Sequence, residues 1–376
     1  MCFDAERLQN WPNEHLNVMA TSMQTNRRNF LKTSLLGSAA ALLTPWSVPR
    51  IFGAESAPSA RAFSSRVALT AGEDRAGLAF NGLKAFEKQI AGAIGSKRVI
   101  IKPNNVAIDN QLAASHAQNL EGILEFLKSI GKQDVVIAES AANGPTLDGF
   151  HNFGYNTLAA KYGAKMMDLD QEGFEVLHCF DETDFRPHPC RMSKVLLDPN
   201  NFIISAAKFK THDRVVTTLS LKNIVVGAPI KDPGFRWGPG AKPGAKNDKP
   251  VTHGNGFRGI NYNLYALAPR LHPHLSVIDG YEGMEGEGPV GGTPVQHRVC
   301  VVSPDWLAAD RVAVELMGID FKNVGYLTFC GQTKMGEANL DKIEIVGPAV
   351  KDHIKPYKLA RNLERQLVWK EPVKKG

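Results

Sequence analysis

The segment NFIISAAKFKTHDRVVTTLSLKNIVVG, residues 201–227, joins an apolar, β-prone run to a helix-like run that ends at Gly227. The same alternation recurs before it. KRVIIKPN (97–104) and DVVIAES (134–140) are strand-like, and HAQNLEGILEFLKSIG (116–131) places its large apolar residues on one helical face. Buried strands that alternate with amphipathic helices predict an α/β fold, with a mainly parallel sheet and helices on both faces in Rossmann-like layering.

Polar residues follow four of the predicted strands, at the point where each strand ends. They are Lys102 with Asn104, Glu139 with Ser140, Lys208 with Lys210 and His212, and Asp279 with Gly280 and Glu282. Ligands of open α/β sheets bind beyond the carboxyl ends of the strands. If these four strands are parallel, we expect their polar ends to meet at one edge of the sheet.

The two-residue spacing of Lys208, Lys210 and His212 places the three side chains on one face of a strand. Such groups suit a carboxylate or a phosphate, whereas the alternative is a strand that runs out into solvent. The predicted substrate-binding residues are Lys102, Asn104, Lys208, Lys222 and Asn223. His212 would act as acid or base, because its pKa lies near the working range. Lys210 and Asp279 complete the predicted catalytic set.

An acidic run contains Asp279, Glu282, Glu285 and Glu287. Carboxylates so close together repel one another unless cations lie among them. One interpretation is a divalent metal site, with Asp279, Glu282 and Glu285 supplying oxygen ligands to Mg²⁺ or Ca²⁺. The other is a structural network in which these carboxylates pair with the lysines, and the sequence leaves both open.

The N-terminal stretch TNRRNFLKTSLLGS, residues 25–38, resembles a twin-arginine export signal. Its apolar part is shorter than the roughly 20 residues that span a bilayer, so we expect no stable transmembrane span. Residues 1–22 carry acidic side chains that fit a signal poorly, and Met19 or Met23 is a better start. The resemblance implies export by the twin-arginine translocase to the periplasm or another extracytoplasmic space.

Several functional classes are not favoured by the sequence. The net charge is +6 without a long basic run, which argues against nucleic-acid binding. The chain has no phosphate-binding loop and no dinucleotide-binding glycine motif. Cys179, Cys190, Cys300 and Cys330 lack cluster spacing, which makes an iron–sulfur cluster unlikely in this chain. Cys179 and Cys190 could pair, but small buried hydrophobic residues are the favoured interpretation.

The predicted domain organisation has three parts. Residues 1–60 form the signal region, residues 61–350 form one α/β domain, and residues 351–376 form a basic, helical C-terminal extension. Within the domain, residues 228–258 are rich in glycine, proline and lysine. This segment is too long for a simple connection, so it is either a functional lid or a disordered insertion.

Five further motifs, together with the opening segment, resemble in content and order the domain of unknown function 362 family. They are VIIKPNNV, VVIAES, FGYNTLAAKYG, LSVIDGYEGMEGEGPVGGTPV and VSPDWLAADRVAVELMGID. The likeness covers about residues 99–320. The family's Lys-Thr-His and Leu-Lys-Asn signatures fall on Lys210 to His212 and Leu221 to Asn223. Its Asp-Gly-x-Glu-Gly signature, which a Gly-Pro pair follows, falls on Asp279 to Gly283 with Gly288 and Pro289. The resemblance implies redox chemistry in members with iron–sulfur segments, but this chain lacks their cysteine quartet.

Three functions therefore compete. The first is an exported enzyme that acts on a small anionic substrate, with metal-assisted or redox chemistry as variants. The second is a periplasmic protein that binds a ligand or metal without turnover in the same cleft. The third is an interaction module that docks through the 228–258 segment and the basic tail.

Overall fold

The segment of residues 201–227 begins with a twelve-residue strand, Asn201–His212, which is buried along its whole length. The computed structural model describes residues 63–238 and 240–373. The predicted export signal and start site lie outside the described residues. The strands are β1 (Ser65–Ala71), β2 (Arg98–Lys102), β3 (Val135–Glu139), β4 (Lys165–Asp168), β5 (Phe174–Asp181), β6 (Arg186–Ser193), β7 (Asn201–His212), β8 (Val216–Thr217), β9 (Leu275–Glu287), β10 (Gly291–Ser303) and β11 (Ile343–Val346).

The described helices surround this set of strands. They are α1 (Arg75–Lys84), α2 (Glu87–Ile94), α3 (Ala117–Ser129), α4 (Thr146–Asn152), α5 (Tyr155–Tyr162), α6 (Lys194–Leu197), α7 (Leu219–Val225), α8 (Phe257–Leu267), α9 (Trp306–Leu316), α10 (Gly325–Gln332) and α11 (Leu363–Gln366). Short 3₁₀ helices include Lys249–His253. No helix in the described part of the chain is both long and apolar enough to span a bilayer.

The central sheet has nine strands, in the order β11-β1-β10-β9-β7-β2-β3-β4 with β8 added against β7. The consecutive strands β9, β7, β2, β3 and β4 are parallel, and β10 is antiparallel to both of its neighbours. One hydrophobic core lies between the sheet and the helices α1, α2, α3 and α5. A second core lies between the sheet and the helices α7, α8, α9 and α10 on the other side. The predicted α/β fold, with a mainly parallel sheet between helices, is confirmed.

A hairpin of β5 and β6 stands apart from the central sheet and was not predicted. Its strands pair in register from Phe174 with Ser193 to Asp181 with Arg186. Cys179 and Cys190 lie on these strands as buried free thiols. Cys300 and Cys330 are also buried free thiols, so all four behave as small core residues.

The glycine- and proline-rich segment folds back on this hairpin. Arg191 of β6 donates to Asp232 at 2.6 Å and to Asp248 at 2.9 Å, so one guanidinium holds both ends of the segment. The 3₁₀ helix that follows Asp248 ends at His253. These ion pairs therefore hold the described part of the segment against the β5–β6 hairpin.

The described part of the C-terminal extension contains short helical turns, namely α11 and the 3₁₀ helices Val350–His353 and Leu367–Lys370, and not the one continuous helix that we expected. Tyr357 packs against Phe209 and His297, and Gln366 Oε1 accepts the Val216 N–H at 2.6 Å. The extension therefore packs against β7 and β8.

Candidate functional site

The carboxyl ends of β2, β3 and β7 meet at one edge of the sheet, as the parallel order requires. Lys102 Nζ lies 2.7 Å from Glu139 Oε1 and 2.9 Å from Oε2. Lys210 Nζ donates to Asn104 Oδ1 at 2.7 Å and to the Ala113 carbonyl at 2.9 Å. Polar groups that are distant in sequence thus form one buried network.

Helix α7 carries Lys222 and Asn223 to this edge. The Asp310 carboxylate accepts the N–H groups of Ser220 at 2.8 Å and Leu221 at 3.1 Å, which satisfies donors at the start of the helix. Asn223 then joins the strand ends, because its Oδ1 accepts from Lys102 Nζ at 3.2 Å and from Asn104 Nδ2 at 3.0 Å.

These elements enclose a cavity of about 110 Å³. Its lining includes Lys102, Asn104, Asn105, Glu139, Ser140, His212, Thr218, Lys222, Asn223, Lys249 and His253. This volume is below the roughly 300–1,000 Å³ of common drug-sized ligand sites, so a small ligand fits better than a dinucleotide. Of the predicted substrate-binding residues, Lys102, Asn104, Lys222 and Asn223 are brought together here.

The 3₁₀ helix Lys249–His253 contributes two residues that were not in the predicted site. Lys249 Nζ donates to the Pro229 carbonyl at 2.6 Å and to the Gly227 carbonyl at 3.2 Å. His253 Nδ1 lies 3.1 Å from the Lys249 carbonyl oxygen. The long segment therefore closes the cavity with a cation and an imidazole, as a lid would.

Basic side chains outnumber acidic ones in the lining of the cavity. Among the described lining residues, Glu139 is the one carboxylate, and it pairs with Lys102. Burial lowers the pKa of Lys222 to about 8 and that of Lys249 to about 7. Burial lowers the pKa of Lys210 too, and the nearby charge of Lys222 adds to this effect. An anion in the cavity would favour the charged form of each lysine.

The two cavity histidines carry their proton on different ring nitrogens, because their Nδ1 atoms have different hydrogen-bond partners. His212 Nδ1 accepts the Arg214 backbone N–H at 3.0 Å, which leaves its proton on Nε2. Asp213 Oδ1 also lies 3.3 Å from this nitrogen, but a backbone N–H can only donate, so Nδ1 is the acceptor. His253 Nδ1–H faces a carbonyl oxygen, which leaves Nε2 unprotonated. Burial lowers the pKa of both rings, to about 4 for His253, so both are neutral near pH 7.

Asp279 and Lys208 lie in a second cluster, away from the lining of this cavity. Asp279 Oδ2 is 3.6 Å from Arg75 Nε, and the Arg75 guanidinium lies 4.5 Å from the ring centre of Tyr281. Lys208 is the register partner of Asp279. Burial lowers the pKa of Lys208, and the nearby Asp279 carboxylate opposes this effect. Of the predicted catalytic residues, His212 lines the cavity, Lys210 contacts the lining residue Asn104, and Asp279 lies near Arg75.

The predicted metal ligands Asp279, Glu282 and Glu285 do not converge. They are three residues apart on β9, which turns successive side chains to opposite faces. Glu282 accepts from Gln296 Nε2 at 2.6 Å, and Glu285 accepts the Lys358 N–H at 2.9 Å. The carboxylates of this run therefore make structural contacts, but their partners are Arg75, Gln296 and Lys358 and not Lys208, Lys210 and Lys222, the lysines of the structural alternative.

One other group has the spacing of metal ligands. Among the described residues, Asp181, Asp184 and His188 each offer an atom within 4.8 Å of the others. His188 Nε2 lies 2.9 Å from Asp184 Oδ2, and Asp181 accepts from Thr183 Oγ1 at 2.6 Å. These carboxylates already have partners, because Asp184 pairs with His188, and Asp181 accepts from Thr183 and Asn255.

A larger cavity of about 260 Å³ lies under the glycine-rich segment. It is lined by Asp168, Asp170 and Lys231, among others. Lys231 and Asp170 form an ion pair, and the other charged lining residues are Asp168, Asp232 and Arg236, so carboxylates outnumber cations here. The smaller cavity is the better candidate site, because its cations outnumber its carboxylates.

Comparison with known proteins agrees with this arrangement of motifs. A family model described as "Domain of unknown function (DUF362)" matches residues 99–315, which is more than half of the chain. The chain belongs to the DUF362 family. The match includes β2, β3, β7, α7 and β9, and so includes all of the predicted site residues.

This DUF362 chain is similar to one curated protein sequence and aligns weakly with one solved structure, among others. The thylakoid-associated protein sll1697 of Synechocystis is 23% identical over 241 residues, which cover 64% of this chain and 68% of the relative. A crystal structure of a Thermotoga maritima protein aligns with a TM-score of 0.38 and 11% identity. That alignment covers 66% of this chain, and the chain spans 60% of the length of that structure.

Proposed function

We propose that this chain is an exported enzyme that binds a small anionic substrate in the basic cavity and moves a proton with its histidines. One observation carries the proposal. Three lysines and one carboxylate line a buried cavity, and the carboxylate is already paired with Lys102. Buried charges are costly unless they are paired, so the remaining cations favour an anionic occupant.

The histidines supply the chemistry in this proposal. His212 presents Nε2–H and would donate a hydrogen bond or proton to a substrate oxygen. His253 presents an unprotonated Nε2 and would accept a proton. A neutral donor and a neutral acceptor in one cavity are suited to general acid–base catalysis near pH 7.

Anion binding is tested by calorimetric titration of the purified protein with phosphate, acetate, succinate and pyruvate. We expect saturable binding that weakens in Lys222→Met and is unchanged in Lys88→Met, since Lys88 is exposed on α2. If the wild type binds none of these anions, the proposal is wrong.

Turnover separates the enzyme from the binding protein that uses the same cleft. The anions that bind are incubated with the protein at about neutral pH, and products are followed by NMR spectroscopy. We expect His212→Gln to abolish turnover while binding is only weakened. Binding without turnover in the wild type would favour the non-catalytic alternative.

We also propose export through the twin-arginine translocase. The support is the pattern Arg-Arg-x-Phe-Leu-Lys at residues 27–32, ahead of a short apolar run. The periplasm or another extracytoplasmic space would then be the working compartment.

A further inference from the structure

The three lysines that line the cavity, and the neighbouring Lys210, differ in the contacts of their ammonium groups. Lys102 is held by Glu139, and Lys210 by Asn104 and a carbonyl oxygen. Lys249 donates to two carbonyl oxygens of the segment that it closes. Lys222 is 5% exposed and lines the cavity, and its Nζ has no hydrogen-bond or ion-pair partner among the described residues. It is the lysine that remains available for chemistry.

We propose that Lys222 is a catalytic nucleophile, which forms an imine with the carbonyl group of a small 2-oxo carboxylate. The inference rests on the proposed anion-binding function and names its substrate class. The carboxylate of such a substrate would be held by the cations of the cavity, and its carbonyl carbon would face the free amine. An amine in a desolvated site beside other cations is the usual form of a lysine nucleophile.

The step balances without an oxidant or a metal. Lys222 Nζ attacks the carbonyl carbon, a C–N bond forms, and the carbonyl π electrons move to oxygen. His253 Nε2 carries one proton from nitrogen to that oxygen, and His212 Nε2–H donates a hydrogen bond to it. A second proton carried by the same route makes the oxygen leave as water, and the nitrogen electron pair closes the C=N bond. One amine and one carbonyl give one imine and one water.

Burial of Lys222 makes the neutral amine that this step needs more accessible than it is in an exposed lysine. The pKa of Lys222 is lowered to about 8, mainly by burial, and Asp213 opposes this effect. The groups that act on it electrostatically are Lys210, His212 and Asp213 at the end of β7, and His253 from the 3₁₀ helix. Lys102 and Lys249 line the same cavity. Near neutral pH the free-amine fraction is therefore far larger than for an exposed lysine.

The experiment is reductive trapping with pyruvate as the probe. The full chain is incubated with pyruvate and sodium cyanoborohydride, which reduces an imine to a stable secondary amine. Intact mass and peptide mapping then locate the adduct. We expect one adduct per chain, at Lys222, which is lost in Lys222→Arg and retained in Lys88→Arg. The result does not depend on the folding of a variant, because the wild-type map alone identifies the lysine.

Two outcomes would overturn the inference. One is a wild type that binds pyruvate by calorimetry but gives no adduct, which leaves the anion-binding proposal intact. The other is an adduct that falls on Lys249, or on exposed lysines such as Lys88 as much as on Lys222. A wild type that neither binds nor traps pyruvate, and binds none of the other anions, would instead remove the proposed function itself.

Discussion

Lys102 Nζ lies 2.7 Å from Glu139 Oε1, and both side chains are buried where the neighbouring strands β2 and β3 end. Asn223 Oδ1 completes the contacts at 3.2 Å. The pair cancels its own charge within the network. What remains in the cavity is the positive charge of Lys222 and Lys249, which supports the proposal of an anionic ligand.

We expect Glu139→Gln to destabilise the fold, because it leaves the buried Lys102 ammonium without its counter-charge. Removing one partner of a buried pair costs about 3–5 kcal/mol. The free energy of unfolding from urea titration measures this loss. The double variant Lys102→Met with Glu139→Gln removes both charges and should recover much of it. If the single variant is as stable as the wild type, the pair does not stabilise this edge.

Gly227 allows the backbone after α7 to approach the Lys102 side chain. A Cβ at this position would overlap Lys102 Cε and the Asn223 carbonyl oxygen. We expect Gly227→Ala to displace Lys102, lower the melting temperature and weaken phosphate binding. Gly92→Ala is the matched control, since a Cβ there meets nothing within 4 Å and a helical alanine is favoured by about 1 kcal/mol. Equal effects of the two substitutions would contradict this role for Gly227.

The sequence was sufficient to predict the sheet edge on which the site is built. Alternating strands and helices imply parallel strands, and parallel strands bring Lys102, Glu139 and Lys210 together. The helix expected to end at Gly227 is α7, which ends at Val225. These features follow from local pattern and from one topological rule, which is why they could be predicted.

The division of the polar residues into two clusters follows from strand register and could not be read from spacing. Lys208 pairs with Asp279 on β9, but Lys210 pairs with Met284, because an irregularity shifts the register between them. Asp279 therefore lies beside Lys208, before the shift, and not beside Lys210. Such irregularities depend on tertiary packing, and the spacing of the lysines gives no sign of them.

Lys249 and His253 were left out of the predicted site for a different reason. They lie in a segment without hydrophobic periodicity, and its path depends on the distant Arg191. The hairpin that carries Arg191 was missed because β6 contains Pro187 and Pro189, and proline argues against a strand assignment.

We expect Lys222→Met to make the ligand-free protein more stable. The unfolded chain keeps its Lys222 proton up to about pH 10.5, whereas the folded chain loses it above about pH 8. Stability therefore rises between these two values, and the full penalty of about 3 kcal/mol is present below pH 8. Thermal unfolding at pH 7 should show a higher melting temperature for Lys222→Met than for the wild type.

The same variant separates stability from ligand binding. Phosphate should raise the melting temperature of the wild type and leave that of Lys222→Met nearly unchanged. Lys88→Met, on the exposed face of α2, should respond to phosphate as the wild type does. A destabilised Lys222→Met protein that still responds to phosphate would show that the lysine is structural.

The paired arginines at the N-terminus provide a test of export. We expect Arg27→Lys with Arg28→Lys to retain the protein in the cytoplasm, because the translocase reads the arginine pair specifically. Fractionation and immunoblotting of the full chain measure the periplasmic share. Arg61→Lys, beyond the predicted signal region, is the control. Unchanged export of the double variant would point to another route.

His253 should make the fold sensitive to acid. Its pKa is about 4 in the folded chain and 6.5 without the burial and the nearby Lys222 charge that lower it. As the pH falls below 6.5, the unfolded chain binds a proton that the folded chain excludes until about pH 4. Stability is therefore lost across this window, by up to about 3 kcal/mol for this group.

Urea unfolding between about pH 7 and pH 4 measures this contribution. The loss of stability on acidification should be smaller in His253→Gln than in the wild type, and unchanged in His151→Gln, whose side chain is exposed. If His253→Gln and the wild type lose the same free energy, His253 is already protonated or solvated in the folded protein. It could not then serve as the neutral base of the cavity, and the assignment of its Nε2 as proton acceptor would have to be withdrawn.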